Sequence, residues 1–338
     1  MKTSNTGITR RLLLTKFGNV ALIGVALGVS TMAAPAAWAQ QYPSKPIHLI
    51  VPYAPGGAVD VVGRVIAGDL SKRLGQTVIV ENRTGAGGNV AASYVAKSEA
   101  DGYTLLMGST GNSVNGSLYH NLNYDPDRDL APIALVGTVA SVLLAHPALP
   151  ANNLAELMAL IKSKPDSLNF ASGGSGTTEH LAAEMFNARA GTKIRHIPYR
   201  VGAPAMTDLQ AGQVQLMFTN FAQALPYIKA GTLKALGMAS AERAKQLPNV
   251  PTFQEQGMPD FFVSVWWGVF GPAKLPAAVT ERLNQSINAA LTSPEVVGRL
   301  EAYGATLLGG TSAQFASFFA KESARWKEVI QAANIKAD

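Results

Sequence analysis

Three short stretches hold most of the residues able to engage a small molecule. The first is Tyr53-Ala54-Pro55-Gly56-Gly57-Ala58-Val59-Asp60. Its glycines let backbone N–H groups face an anion, and a following helix N-terminus would add partial positive charge. Asp60 reads as a helix cap or as a carboxylate that orients a water. The second, Ala171 to His180, carries the hydroxyls of Ser172, Ser175, Thr177 and Thr178 among three glycines. Hydroxyls and free N–H groups make a carboxylate cradle, and His180 reads as a packed, hydrogen-bonded ring or as a ligand or base. The third, Gly108-Ser109-Thr110-Gly111-Asn112-Ser113-Val114-Asn115, has neutral hydrogen-bonding side chains and no charge. It reads as a neutral pocket wall or as a solvated loop that ends its own helix. The first stretch also has a plain reading as a structural turn with an ordinary cap.

Enzymatic patterns fit poorly. Gly85-Ala86-Gly87-Gly88-Asn89 sits where a dinucleotide fingerprint would, but its third glycine is missing and the next strand ends at Gly108-Ser109 without an acid for a ribose. Gly173-Gly174-Ser175-Gly176-Thr177 lacks the closing glycine of a nucleophile elbow. A triad from Ser175, His180 and a distant acid is conceivable, yet no spacing favours it. With no cysteine, thiol nucleophiles, thiolate metal sites and disulfides are excluded. The five histidines, at 48, 120, 146, 180 and 196, show no metal-ligand spacing. No cofactor, metal or catalytic residue is expected.

These loops need strands and helices to hold them. Pro46–Val51 reads as a buried strand, and from Val59 the residues Val62, Val65, Ile66 and Leu70 follow helical spacing. Further strands are predicted at 77–80, 103–107, 169–171, 195–197, 215–218 and 233–238, with helices at 90–96, 154–162, 178–190, 203–211 and 222–229. Residues 276–291, 294–302 and 312–332 read as helices. The long apolar strands 130–145 and 263–270 would carry the chain between two blocks. The alternation points to an α/β fold whose ligands meet the carboxyl ends of the strands. Two lobes are expected, 42–140 plus 271–338 and 141–270, joined by two crossovers as in clamshell binding proteins. Trp266-Trp267, in the second crossing strand, reads as cleft lining or as core. Tyr199-Arg200, after the 195–198 strand, could meet an acidic ligand or lie on the surface.

The 338 residues are 47% hydrophobic and 15% charged, enough apolar surface for a sizeable core. The formal charge is +6, but residues 1–39 hold Lys2, Arg10, Arg11 and Lys16 and no acid. Removing those four of the 28 bases leaves 24 against 22 acids, so a nucleic-acid surface is unsupported. Arg10-Arg11, an apolar stretch to Met32 and Ala37-Trp38-Ala39 form an export signal over 1–39, cut before Gln40. The arginine pair resembles a twin-arginine signal, with Thr15 where lysine is usual. A cleaved, periplasmic product is expected.

Several motifs together resemble Bug-type solute receptors, the extracytoplasmic binding proteins of the tripartite tricarboxylate transporter family. They are Pro52–Asp60, Val80-Glu81-Asn82-Arg83-Thr84-Gly85-Ala86-Gly87-Gly88, Ala100–Leu106, Ser172–His180, Ile197–Ala205 and Trp267–Ala273. They run in order through nearly all of the chain past the leader. The resemblance implies a two-lobed periplasmic-binding-protein fold (Venus flytrap, type II) and a non-enzymatic receptor that delivers a small carboxylate to permease subunits. A sensory role with a signalling partner is the alternative, and an exported serine hydrolase using Ser175 and His180 a more remote one. By the same resemblance, Tyr53, Gly57, Ala58 and Asp60 form one jaw, and Ser172, Ser175, Thr178 and His180 the other. Ser109, Thr110, Asn115, Tyr199, Thr219 and Asn220 would meet the variable end of the ligand, and the receptor would be a monomer. Tyr53 stands where phenylalanine is common, and Arg200-Val201 where Lys-Gly is usual.

Overall fold

The first strand, β1 (Ile47–Val51), is apolar almost throughout because helices cover both of its faces. Side chains alternate across a strand, so Ile47, Leu49 and Val51 pack with the helix α1 (Ala58–Leu74), while Ile50 packs with α2 (Asn89–Ala96). Helix α1 buries Val59, Val62, Ile66 and Leu70 along one stripe and stops at Gly75, which takes the left-handed conformation of a C-cap. The computed structural model describes residues 42–336. The export signal expected over 1–39 lies outside them.

β1 lies between β2 (Val78–Asn82) and β3 (Thr104–Ser109), parallel to both, as the three strand–loop–helix units led one to expect. The sheet then turns antiparallel. β3 pairs with β9 (Ser264–Pro272), and β9 pairs with β4 (Leu130–Ala145). β4 is shared between two ladders. Residues 130–140 face β9 and the short β10 (Thr306–Leu307), and residues 141–145 face β7 (Leu216–Asn220) and β8 (Lys234–Met238). Beyond β7, the strands β5 (Asn169–Ser172) and β6 (Arg195–Pro198) continue in parallel. β9 lies in the first ladder along its whole length, so the chain re-enters that ladder at Ser264.

The helices α3 (Thr110–Leu118), α4 (Leu154–Ser163), α5 (Thr178–Ala190), α6 (Gly202–Gln210) and α7 (Phe221–Lys229) fill the crossovers. The chain ends in α8 (Ala277–Ala290), α9 (Pro294–Ala302) and α10 (Ser312–Ala332). Phe170, Phe186, Phe218, Phe253 and Phe261 form an aromatic cluster under the second ladder. Val114 and Leu118 of α3, with Trp326 and Ile330 of α10, belong to that same cluster. Trp266 and Trp267 are fully buried, so both are core. Among the described residues no helix is long and apolar enough to cross a membrane.

One stretch differs from its sequence reading. Residues 108–115, read as a loop, are the end of β3 and most of α3. Ser and Asn disfavour a helix interior because their side chains compete for the backbone, and Gly because it loses the most backbone entropy. Here local bonds at the helix start and one long-range bond occupy them. Asn112 Oδ1 accepts the Ser109 N–H at 2.9 Å, Ser113 Oγ donates to the Thr110 carbonyl, and Thr110 Oγ1 accepts the Trp266 N–H at 3.0 Å.

Candidate ligand-binding site

The β1–α1 loop is braced from behind. Asp60, on the first turn of α1, is 2% exposed and accepts from the Gly56 N–H at 2.9 Å, Arg64 Nε at 3.0 Å and Asn82 Nδ2 at 2.8 Å. Asn82 Nδ2 also donates to the Tyr53 carbonyl, and Arg64 closes the ring onto Asn82 Oδ1. Burial alone would raise the Asp60 carboxyl. The bonds from Arg64, Gly56 and Asn82 outweigh it and hold the group at about 2. Asp60 is therefore ionised and occupied, which makes it the anchor that shapes the loop. Gly57 caps α1 without a side-chain bond, and Ala58 opens the helix partly exposed. The first-turn N–H groups thus keep their affinity for an anion.

Tyr53 leans from this loop onto α3. Ser109 Oγ donates to its hydroxyl at 3.4 Å, which leaves the phenol proton free to be given elsewhere. Burial pushes the Tyr53 phenol up, the bond from Ser109 opposes this, and the charges of Tyr119 and Glu179 add to the rise. Asn115 is buried and turned away. Its Nδ2 donates to the Gly87 carbonyl and to Asn89 Oδ1, both at 3.0 Å, and so pins the glycine turn before α2 against α3. The Thr110 hydroxyl, held by Trp266, is likewise a joint in the frame.

The β5–α5 loop has its own brace. Ser172 is fully buried, with its Oγ 2.6 Å from His196 Nε2 and bonded to both the N–H and the carbonyl of Gly174. His180 Nδ1 accepts the Gly176 N–H at 3.1 Å, which places the ring proton on Nε2, facing Glu184 Oε1 at 3.7 Å. The two imidazoles stack. Thr177 caps α5, accepting the His180 N–H. Ser175 and Thr178, half-buried, make no side-chain hydrogen bond among the described residues. The Tyr199 N–H donates to the Ser172 carbonyl and its hydroxyl donates to Asp208 at 2.6 Å. Burial and that neighbour push its phenol up to about 12.

Direct bonds join Tyr53 to Ser109 on one side and Tyr199 to Ser172 on the other; His180 reaches Ser172 through the stacked His196 ring, and Asn115 is bonded to Gly87 and Asn89 instead. The two sides meet where Gly176 packs on Leu118 of α3. Thr219 and Asn220 stand apart in their bonding. Thr219 Oγ1 donates to Gln223 Oε1 and Asn220 Oδ1 accepts the Gln223 N–H, so both serve the start of α7. Glu179 is the residue that the sequence reading passed over. An acid after Thr177-Thr178 reads as ordinary support for a helix start, and in the folded chain burial pushes its carboxyl up. Two cavities lie away from these residues. One of about 1240 Å3 lies between α3, residues 119–129 and α10, and one of about 330 Å3 is lined by residues of α4 and the end of α5. Among the described residues no group of His, Asp and Glu could hold a metal ion.

The family model described as the tripartite tricarboxylate transporter family receptor matches residues 62–335. The chain belongs to that family. This receptor chain is 40% identical to the protein BugT of Bordetella pertussis over 319 residues, which span 94% of this chain and 98% of BugT. It is similar in structure to an R. palustris protein solved with adipate, with a TM-score of 0.78, 33% identity, and coverage of 88% of this chain and all of that one. MatC from Rhodopseudomonas palustris, solved with bound malate, gives a TM-score of 0.74 at 33% identity, covering 86% of this chain and 100% of MatC. The receptor thus has the two-lobed α/β periplasmic-binding-protein fold that the motif order implied. A periplasmic solute-binding role for a transporter follows from the family.

Proposed function

We propose that this receptor holds one carboxylate of a small organic acid between the α1 and α5 N-termini and delivers it to the permease subunits of a tripartite transporter. The observation that carries the reading is the pairing of two glycine-rich strand-to-helix turns, each fixed by a buried polar network and each joined to the other through α3. Backbone N–H groups and waters satisfy a carboxylate without an arginine clamp. Tyr53, Gly57 and Ala58 contribute the contacts on one side, and Ser175 and Thr178 on the other. Asp60, Ser172, His180, Asn115 and Thr110 set the geometry behind them. Ser109 and Tyr199 line the approach, with Thr219 and Asn220 at its far margin. The bound malate and adipate of the two relatives support a carboxylate as cargo.

We count residues 42–140 and the chain from β9 onward as one lobe and residues 141–263 as the other, with closure about β4 and the segment before β9. The protein acts as a monomer in the periplasm after loss of the 1–39 leader. A receptor and not a hydrolase is favoured by His180, whose Nδ1 is taken by Gly176 and whose Nε2 faces Glu184, leaving neither for Ser175. The test is a thermal-shift and calorimetric screen of the chain from Gln40 onward against small carboxylates. Ligand at a hundred times its Kd adds about 2.7 kcal/mol, or roughly 5–10 °C in Tm. Hydrolysis of an ester or amide that is abolished by Ser175→Ala would overturn the reading.

A further inference from the structure

The far end of α5, 13 residues and so about 20 Å from the glycine-rich loop that starts it, borders the cavity of about 330 Å3. Its floor is apolar, made by Met158 and Ile161 of α4 with Leu168, Ala190 and Ile194. Lys162, Lys164 and Lys193 stand around it, against the single acid Asp166. None of the three ammonium groups has an ion pair or hydrogen bond among the described residues. Each helix already carries a cation in its last turn, Lys162 in α4 and Arg189 in α5, so Lys164 and Lys193 are surplus to the helix ends. Both loops that bear them are held in place. The Lys164 carbonyl accepts from the Ser167 hydroxyl and N–H. Asn187, 8% exposed, accepts the Thr192 hydroxyl at 2.9 Å and the Ile194 N–H at 3.0 Å, and donates to the Ile194 carbonyl.

We propose that this cavity is a second ligand site, separate from the cleft, for a single apolar chain that ends in a carboxylate or phosphate. The floor takes the chain out of water, and the lysines pair with the head through charge-assisted hydrogen bonds. A volume of about 330 Å3 is at the small end of ligand pockets, with room for one chain and not for the two of a bilayer lipid. The rim also gives a bilayer nothing to bury. Leu168 and Ile194 are buried and Met158, Ile161 and Ala190 half-buried, so the apolar surface is reached only by a molecule that enters.

The experiment is calorimetry and amide NMR on the chain from Gln40 onward with octanoate, octyl phosphate, octan-1-ol and acetate, and sedimentation with phosphatidylglycerol vesicles. Wild type is compared with Lys164→Gln/Lys193→Gln, whose Tm without ligand should be unchanged because both side chains are exposed. Expected are amide shifts confined to residues 158–168 and 187–194. Octanoate or octyl phosphate should bind at least tenfold more tightly than octan-1-ol or acetate, and at least fivefold more weakly in the double variant. Octanoate shifts confined to residues 53–60 and 172–180 would put it in the cleft and overturn the proposal. Octan-1-ol binding as tightly as octanoate would overturn it too, since the lysines would then recognise nothing. Binding to the vesicles and to neither soluble amphiphile would make the lysines a membrane-facing surface and not a site. No binding of either amphiphile at millimolar concentration also overturns the proposal, and each of these outcomes leaves the carboxylate reading of the cleft to its own test.

Discussion

The His180 ring lies flat on His196, with centroids 3.7 Å apart and planes within 12°. The stack joins α5 to β6, and each ring also holds one point of the β5–α5 loop: His180 the Gly176 N–H, His196 the Ser172 hydroxyl. The pair is thus a clamp on the loop's conformation.

Replacing His180 with phenylalanine separates these roles. The ring area and stacking partner remain, while the acceptor for Gly176 is lost. We expect a stability loss of about 1 kcal/mol, in line with one hydrogen bond, and a ligand affinity weakened about tenfold because the loop is no longer fixed. Urea unfolding and calorimetry on the same preparation measure the two effects. An affinity equal to wild type would show that Gly176 needs no acceptor.

Asp60 provides a pH signature. Its folded pKa of about 2 lies below the unfolded 3.8, so the stability it contributes is present above the unfolded value and is lost as pH falls through the folded one. A shift of this size corresponds to about 2 kcal/mol. Wild-type protein should lose that much between pH 5 and pH 2 through this group, over about that range. Asp60→Asn should be less stable at pH 7 and have a flatter acid limb in urea titrations. An unchanged acid limb would mean that the Arg64 and Asn82 network adds nothing net.

Much of the fold is readable from residue pattern because it is local. The apolar runs at 47–51 and 104–107, the helical stripe from Val59 and the glycine breaks place nearly every element within a few residues. The pairing is less readable. Nothing near Leu130 announces that one strand will serve two ladders, since its partners lie at 216–238 and 264–272. The α3 segment defeats a local reading for the same reason, because Trp266 and Gly87, which occupy its polar side chains, are remote in sequence. The site divides likewise. Its loops are marked by glycine and hydroxyl content, but which side chains face the cleft and which brace it depends on neighbours such as Arg64, His196 and Gln223.

Tyr53→Phe tests the phenol that leans from the β1–α1 loop onto Ser109. The ring keeps its packing, and Ser109 loses a single long bond. Stability should change by less than about 1 kcal/mol, while carboxylate affinity should fall about fivefold as a donor disappears. Tm without ligand and Kd by calorimetry are the two readouts. A tighter Kd in the variant would place the phenol proton away from the ligand.

Gly176 is the tightest joint between the two sides. At φ +76 it occupies a region that side chains avoid, and a Cβ there would stand 2.2 Å from Leu118 Cδ2. Gly176→Ala must strain the backbone and push Leu118 aside together. Strain at such a position costs about 1–3 kcal/mol. Leu118→Ala removes the clash and leaves the strain, so in the double variant it should recover part of the lost affinity and none of the backbone cost. Chemical unfolding and ligand titration of the single and double variants read this directly. If Leu118→Ala restores nothing, the approach of the β5–α5 loop to α3 plays no part in holding the ligand.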